Sequence, residues 1–173
     1  MEEEISKNVL KTGTLTIGIV CKDGIVLAAD RKVSYGSDHG VTYYPQKGGH
    51  DKVLYVNEDM IITTAGVASD SRRTIKIVQA EIKLKELKTK KKAKVSEVAN
   101  LASNMMYQNI RQFSVIPPII HFLLAGHDNE GVYLYNLGPA GDITQEKEYS
   151  ASGSGMMQAD PILDSEYKKD MTT

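Results

Sequence analysis

From Thr14 to Ala29 the chain reads T-L-T-I-G-I-V-C-K-D-G-I-V-L-A-A. Leu15, Ile17, Ile19 and Cys21 alternate with Thr14, Thr16, Gly18 and Val20, the period of two expected of a strand with one buried face. Asp23-Gly24 is a residue pair that favours a tight hairpin turn, and Ile25 to Ala29 runs back from it. A hairpin so early commits the fold to an antiparallel sheet. It also brings Thr14 and the segment Asp30 to Ser34 to one end of that sheet. A second hairpin is predicted from Lys52-Val53-Leu54-Tyr55-Val56, a turn at Asn57-Glu58-Asp59, and Met60 to Thr64 returning toward Gly66. Between the hairpins, Tyr35 to His50 is rich in glycine and tyrosine and reads as a loop long enough to form a binding wall.

Helical periodicity takes over after Gly66. Ser69 or Asp70 is placed to cap a helix carrying Ile75, Val78 and Ile82 on one face, continuing through Leu84 and Leu87 into a lysine run. Ser96 is placed to cap a second, with Val98, Leu101, Ala102 and Met105 as its stripe. Pro117-Pro118 forbids its continuation. Strands are predicted at Ile119 to Ala125 and Val132 to Leu137, joined through Asp128 to Gly131, with a third around Asp142 to Tyr149. S-A-S-G-S-G then turns into a last helix, from about Met156 to Lys169, with its start left open by Pro161. Strands in hairpins and helices in a pair favour an α+β layered fold over a parallel doubly wound sheet.

Composition narrows the function classes. With 173 residues, 41% hydrophobic and 25% charged, the chain suits one globular domain with its own core. A formal net charge of −1 gives no global attraction to nucleic acid or an anionic membrane. Cys21 stands alone, so it forms no internal disulfide; it reads as a small buried hydrophobe, and a reducing, cytoplasmic location is the default. Residues Met1 to Gly13 carry no apolar run of signal-peptide length. The seven lysines between Lys83 and Lys94 lack interleaved aromatics and read as a solvated surface. His39, His50, His121 and His127 show no metal-ligand spacing, and no metal or other cofactor is expected. The S-G-S-G turn lacks the lysine of a phosphate loop. No G-x-S-x-G elbow supports a conventional serine hydrolase.

Read together, G-T-L-T-I-G-I-V-C-K-D-G-I-V-L-A-A-D-R-K-V from Gly13 to Val33 resembles the mature start of a proteasome β subunit of archaeal type. The resemblance continues through Lys52-Val53, T-A-G-V-A-S-D at Thr64 to Asp70, E-V-A-N-L-A-S-N-M at Glu97 to Met105, S-A-S-G-S-G at Ser150 to Gly155, and L-D-S-E-Y-K-K-D-M-T at Leu163 to Thr172. It implies the four-layer αββα sandwich of the N-terminal-nucleophile hydrolases over residues 14–173, preceded by a propeptide, residues 1–13, removed by self-cleavage at Gly13-Thr14. It implies a threonine peptidase that cuts unfolded proteins inside stacked heptameric rings of α and β subunits, fed by an ATPase unfoldase.

Site roles follow from the same resemblance. Thr14 matches the nucleophile. Once freed, its α-amino group, with an ordinary pKa of about 7.7 to 8.0, is a base in the same residue. Asp30 and Lys52 match the carboxylate and ammonium that assist it, and Lys47 is a rival for Lys52 in a less strand-like setting. Gly66 matches the oxyanion donor, and Ser154 the serine that bonds near the threonine amine. Val33, Thr64 and Ala68 match positions of the specificity pocket, with substrate lying extended between Ser34 and Ala68. Arg72 is placed deeper in that pocket, leaving an acidic preference open. The loop before Lys52 runs a few residues longer than the family's usual spacing.

Two departures stand out. Leu15 replaces the second threonine of many relatives. The family pattern continues past Thr173 with a further helix and an aspartate and serine near the threonine amine, so the chain is expected to be a piece of a longer protein. A structural, non-catalytic β subunit is the alternative reading. The related bacterial ring protease carries G-D-G-Q where this chain has Ala29-Asp30-Arg31-Lys32, and an α subunit would carry a different N-terminal signature.

Overall fold

The computed structural model describes residues 13–32, 35–37, 40–42, 50–115 and 117–173. Strands β1 (Thr16–Val20) and β2 (Ile25–Ala29) form the first hairpin, and β10 (Tyr149–Ser152) pairs with the free side of β1 to give an antiparallel three-stranded sheet. Strands β5 (Val53–Tyr55), β6 (Met60–Gly66), β7 (Ile120–Asp128), β8 (Gly131–Leu137) and β9 (Ile143–Glu146) form a five-stranded antiparallel sheet in that order. Within the stretch read as a loop, Tyr35–Ser37 (β3) and Gly40–Thr42 (β4) pair as a short separate hairpin.

Helices α1 (Ala68–Thr89) and α2 (Val95–Ile110) cover one face of the larger sheet, whereas α3 (Met156–Glu166) packs against β10 of the smaller one. The result is the four-layer αββα sandwich. The main core lies between α1, α2 and the five-stranded sheet, where Ile75, Val78, Ile82, Val98 and Met106 meet Ile62, Phe122, Leu124 and Leu137. Central strand β7 is buried on both faces, and its alternate residues Leu123 and Ala125 join Leu134 against Val20, Ile25 and Leu27 of the small sheet. This explains why Phe122 to Ala125 is an unbroken apolar run rather than an alternation.

Four local expectations are corrected. On β1 the buried residues are Thr16 and Gly18, while Ile17 and Ile19 are only half-buried and Cys21 is likewise partly exposed. The cause is the close approach of the second sheet: a Cβ on Gly18 would lie 2.8 Å from Leu134 Cδ1, so this face admits only small residues. The strand expected around Asp142 to Tyr149 is two strands in different sheets, separated at Lys147-Glu148. The helix starts also shift. Helix α1 begins directly at Ala68 because the Val67 N–H is already spent on the Ile119 carbonyl, at 3.0 Å, as the last link of the sheet. Helix α2 is capped at Lys94, not Ser96. Its first N–H groups go to Glu97 Oε2 (from Lys94, 2.7 Å) and to Asp128 Oδ2 of the β7–β8 turn (from Val95, 2.9 Å), a tertiary cap that no local pattern displays. Finally, α3 ends at Glu166 rather than Lys169, where Tyr167 turns extended and donates its hydroxyl to the Val20 carbonyl.

Candidate active site

Antiparallel register assembles the site. Asp30 lies just past β2 opposite Leu15, and each bonds the other: Asp30 N–H to the Leu15 carbonyl at 3.1 Å, Leu15 N–H to Asp30 Oδ1 at 2.8 Å. Thr14 is thereby fixed one residue beyond the bonded pair. On its other side, the turn after β10 closes over it. The Thr14 N–H donates to Ser154 Oγ at 3.1 Å, and the Gly155 N–H donates to the Thr14 carbonyl at 3.1 Å. Gly153 sits at φ +90°, and a Cβ there would lie 2.3 Å from the Thr14 carbonyl oxygen. Gly153 is therefore explained by the approach of Thr14, and Gly155, where a Cβ would lie 3.0 Å from Leu15 Cβ, by that of Leu15.

The third strand end delivers a cation. Lys52 immediately precedes β5, and its carbonyl accepts from Thr64 N–H of β6 at 2.8 Å, which anchors the backbone while the side chain turns inward. Its Nζ lies 2.9 Å from Thr14 Oγ1, 2.8 Å from Asp30 Oδ1 and 2.9 Å from Asp30 Oδ2. Lys52 is 6% exposed and Asp30 32%. Burial alone would raise the Asp30 pKa, but the bonds from Lys52 and from the N–H groups of Leu15 and Lys32 outweigh it and hold the carboxyl below its ordinary value. Ionised Asp30 in turn keeps an ammonium facing the Thr14 hydroxyl. A cation at that distance lowers the cost of negative charge on the oxygen.

Gly66 closes β6 two residues after Thr64, at φ +101°, and a Cβ there would lie 2.1 Å from the Ile119 carbonyl oxygen. No other residue fits that bend. Ala68 opens α1 immediately afterward, and Thr64 is buried near the end of the same strand. Thr14, Asp30, Lys52, Gly66, Thr64, Ala68 and Ser154 thus come from four strand ends, one helix start and one turn around a common end of the sandwich. Gly13 is exposed, with open space where a Cβ would stand. Val33, Ser34 and Lys47 lie outside the described residues, as do residues 1–12. A cavity of about 500 Å³ lies elsewhere, at the β5–β6 turn against α1, lined by Asn57, Asp59, Gln79, Glu86 and Lys92. Among the described residues no group of three His, Cys, Asp or Glu side chains is gathered as for a metal ion.

The chain matches the family model described as Proteasome subunit over residues 10–173. The chain belongs to the proteasome subunit family. Among relatives, it is 38% identical over 157 residues to proteasome subunit beta 2 of Thermofilum pendens, an alignment covering 91% of this chain and 72% of that protein. Proteasome subunit beta 1 of Thermococcus onnurineus is 36% identical over 162 residues, covering 92% and 72% respectively. Proteasome subunit beta 2 of Sulfurisphaera tokodaii is 37% identical over 172 residues, covering 99% and 77%. The family and the αββα layers agree with what the motifs imply. No helix among the described residues is long and apolar enough to cross a membrane.

One polar pair escaped the sequence reading. Beyond the metal-ligand spacing considered for it, His50 stands two residues before Lys52 and meets Arg72 of α1. The signal was the spacing to Lys52. It becomes legible only once Lys52 is seen to point at Thr14.

Proposed function

We propose that this chain is a catalytic β subunit of a proteasome core particle, a threonine peptidase that hydrolyses peptide bonds of unfolded proteins. The observation that carries the reading is Lys52 Nζ held by both oxygens of Asp30 at 2.8 and 2.9 Å while 2.9 Å from Thr14 Oγ1. Such an arrangement suits a hydroxyl that must become a nucleophile.

With Gly13 attached, the Thr14 nitrogen is an amide and useless as a base. Self-cleavage moves the Gly13 acyl group from that nitrogen to Thr14 Oγ, and water then releases the propeptide 1–13 as a carboxylate. The freed amine has an ordinary pKa of about 7.7 to 8.0, matched to taking a proton from Thr14 Oγ directly or through water. In turnover Oγ attacks a substrate carbonyl, the Gly66 N–H receives the developing oxyanion, and the leaving amine departs with a proton. Water hydrolyses the resulting ester. Ser154, now 3.1 Å from the Thr14 nitrogen, holds the amine in place afterward. Val33, Ser34, Thr64 and Ala68 border the bound peptide, which lies extended and is held by backbone bonds that tolerate many sequences. The partners are α subunits, other β subunits in stacked rings and an ATPase unfoldase, and the setting is cytoplasmic.

The test is N-terminal sequencing of assembled particles together with fluorogenic-peptide hydrolysis by wild type and Thr14→Ala. Thr14 at the exposed N-terminus, and at least a roughly thousandfold loss of hydrolysis in the variant, is expected. Retention of Met1 to Gly13 in assembled particles, with unchanged hydrolysis in the variant, would make the chain a structural subunit of the same ring.

A further inference from the structure

The Thr14 centre draws on both sheets. Thr14, Asp30 and Ser154 are carried by β1, β2 and the turn after β10, whereas Lys52 and Gly66 belong to β5 and β6 of the larger sheet. Thr14 Oγ1 therefore meets Lys52 only while the two sheets keep their relative position. Leu123, Ala125 and Leu134 supply the buried apolar contact between them, and such contact has no preferred direction. A hydrogen bond does, through its distance and angle.

A directional chain crosses the same interface. His121 Nε2 of β7 donates to Asn136 Oδ1 of β8 at 2.7 Å; an amide oxygen only accepts, so this ring nitrogen carries the proton. Asn136 Nδ2 then donates to Ser150 Oγ of β10 at 2.9 Å, passing from the larger sheet to the smaller. The Ser150 hydroxyl in turn donates to Glu146 Oε1 at 3.3 Å. Asn136 joins its two neighbours because one side chain holds both an acceptor and a donor. Ser150, 8% exposed, lies on the strand that clasps Thr14. In register it stands opposite Gly18, and Ser152 stands opposite Thr16. Two residues further on, Ser154 Oγ accepts from the Thr14 N–H, and the Gly155 N–H holds the Thr14 carbonyl.

We propose that Asn136 is a positioning residue of the peptidase: its bond to Ser150 sets β10, and through the Ser154 turn the nitrogen and hydroxyl of Thr14, against Lys52 and Gly66. The proposal rests on the peptidase reading and adds to it a residue whose own bonds go to His121 and Ser150. A shift of about 1 Å between reacting groups costs on the order of a hundredfold in rate. Peptide binding along Thr64 and Ala68, which sit on the larger sheet and α1, does not depend on that alignment.

Assembled particles of each variant, their assembly verified by native mass spectrometry, are tested on one fluorogenic peptide. Intact mass counts the chains with Thr14 freed, so kcat is taken per processed site. Asn136→Leu removes both bonds of the amide, and Ser150→Ala removes the hydroxyl that receives one of them. Each is expected to lower kcat at least about tenfold with KM within about twofold of wild type. Both variants break one link, so the double variant should be no slower than the slower single one. Asn136→Asp keeps the shape, still accepts from His121 and offers the Ser150 O–H an acceptor, so kcat is expected within about threefold of wild type. Ser150→Ala, the loss of a single hydroxyl, decides the matter if Asn136→Leu does not assemble. Unchanged kcat in the assembled single variants, losses that multiply in the double variant, or an Asn136→Asp loss equal to that of Asn136→Leu overturns the inference and leaves the peptidase reading intact. Wild-type particles with no hydrolysis that Thr14→Ala removes overturn both.

Discussion

The two faces of the five-stranded sheet are built on different terms. Toward α1 and α2 the contacts are apolar and sealed: Met60, Ile62, Phe122, Leu124 and Leu137 are at most 2% exposed and meet Ile75, Val78, Val98 and Met106. Toward the three-stranded sheet the apolar contribution shrinks to Leu123, Ala125 and Leu134 with their neighbours, and polar groups take over. His121 bonds Asn136 at 2.7 Å, Asn136 donates to Ser150 Oγ at 2.9 Å, and Thr63 Oγ1 accepts from the Leu123 N–H at 3.2 Å. The first face supplies stability. The second spaces two sheets closely enough for strand ends from both to meet at Thr14, and small or polar residues are what such closeness requires.

If that division is right, substitutions on the two faces separate stability from activity. Phe122→Ala is expected to cost about 3 to 5 kcal/mol in urea unfolding of the isolated subunit, the largest effect here. Thr14→Ala, expected to remove hydrolysis under the proposed function, should change the same stability by no more than about 0.5 kcal/mol. A comparable loss of stability from Thr14→Ala would break the comparison.

Asp30→Asn tests the region where the two demands meet. It leaves the buried Lys52 without its counter-charge and is expected to cost about 1 to 2 kcal/mol at neutral pH, since a third of Asp30 is open to solvent screening. The pH dependence has a definite sign. Because the folded-state pKa of Asp30 lies below its ordinary 3.8, its contribution is present above that value and is lost as pH falls through the lowered one. The stability difference between wild type and Asp30→Asn should therefore narrow on acidification below about pH 4. A gap of constant size down to pH 2 would remove Asp30 from the electrostatic account.

The last expected effect has the opposite sign. Thr16 Oγ1 and Ser152 Oγ face each other across β1 and β10, both buried, with no protein hydrogen-bond partner among the described residues. Thr16→Val keeps the shape and removes one such hydroxyl, so a gain of up to about 1 kcal/mol is expected in the same unfolding assay. A loss of that size would show that the hydroxyl is satisfied in solution.

Much of this architecture was legible because hairpin and helix periods are local. Asp23-Gly24 and the 3.6-residue stripe of Ile75, Val78 and Ile82 each act within a few residues. What was not legible depended on distant partners. The buried face of β1 was misread because apolarity marks Ile17 and Ile19, whereas the second sheet selects for small size at Thr16 and Gly18. Helix α2 draws its cap from Asp128, beyond the helix it caps. The split between β9 and β10 is a choice of sheet, which a period of two does not encode. In the site, Thr14, Asp30 and Lys52 were named through family resemblance, and spacing alone would have left them an ordinary strand-end ion pair. His50 was passed over because its meaning lies in the direction Lys52 points.

The register of β1 turns the strands into a ruler. Counting outward from the pair Thr16 and Ser152 places Ser154 opposite Thr14, and counting along β2 places Asp30 opposite Leu15. A residue inserted in the Asp23-Gly24 turn would change neither distance. One inserted within β1 would shift both partners at once and send Thr14 to the opposite side of the sheet, so the chain can vary freely at its turns while the few residues between Thr14 and Val20 must keep their count.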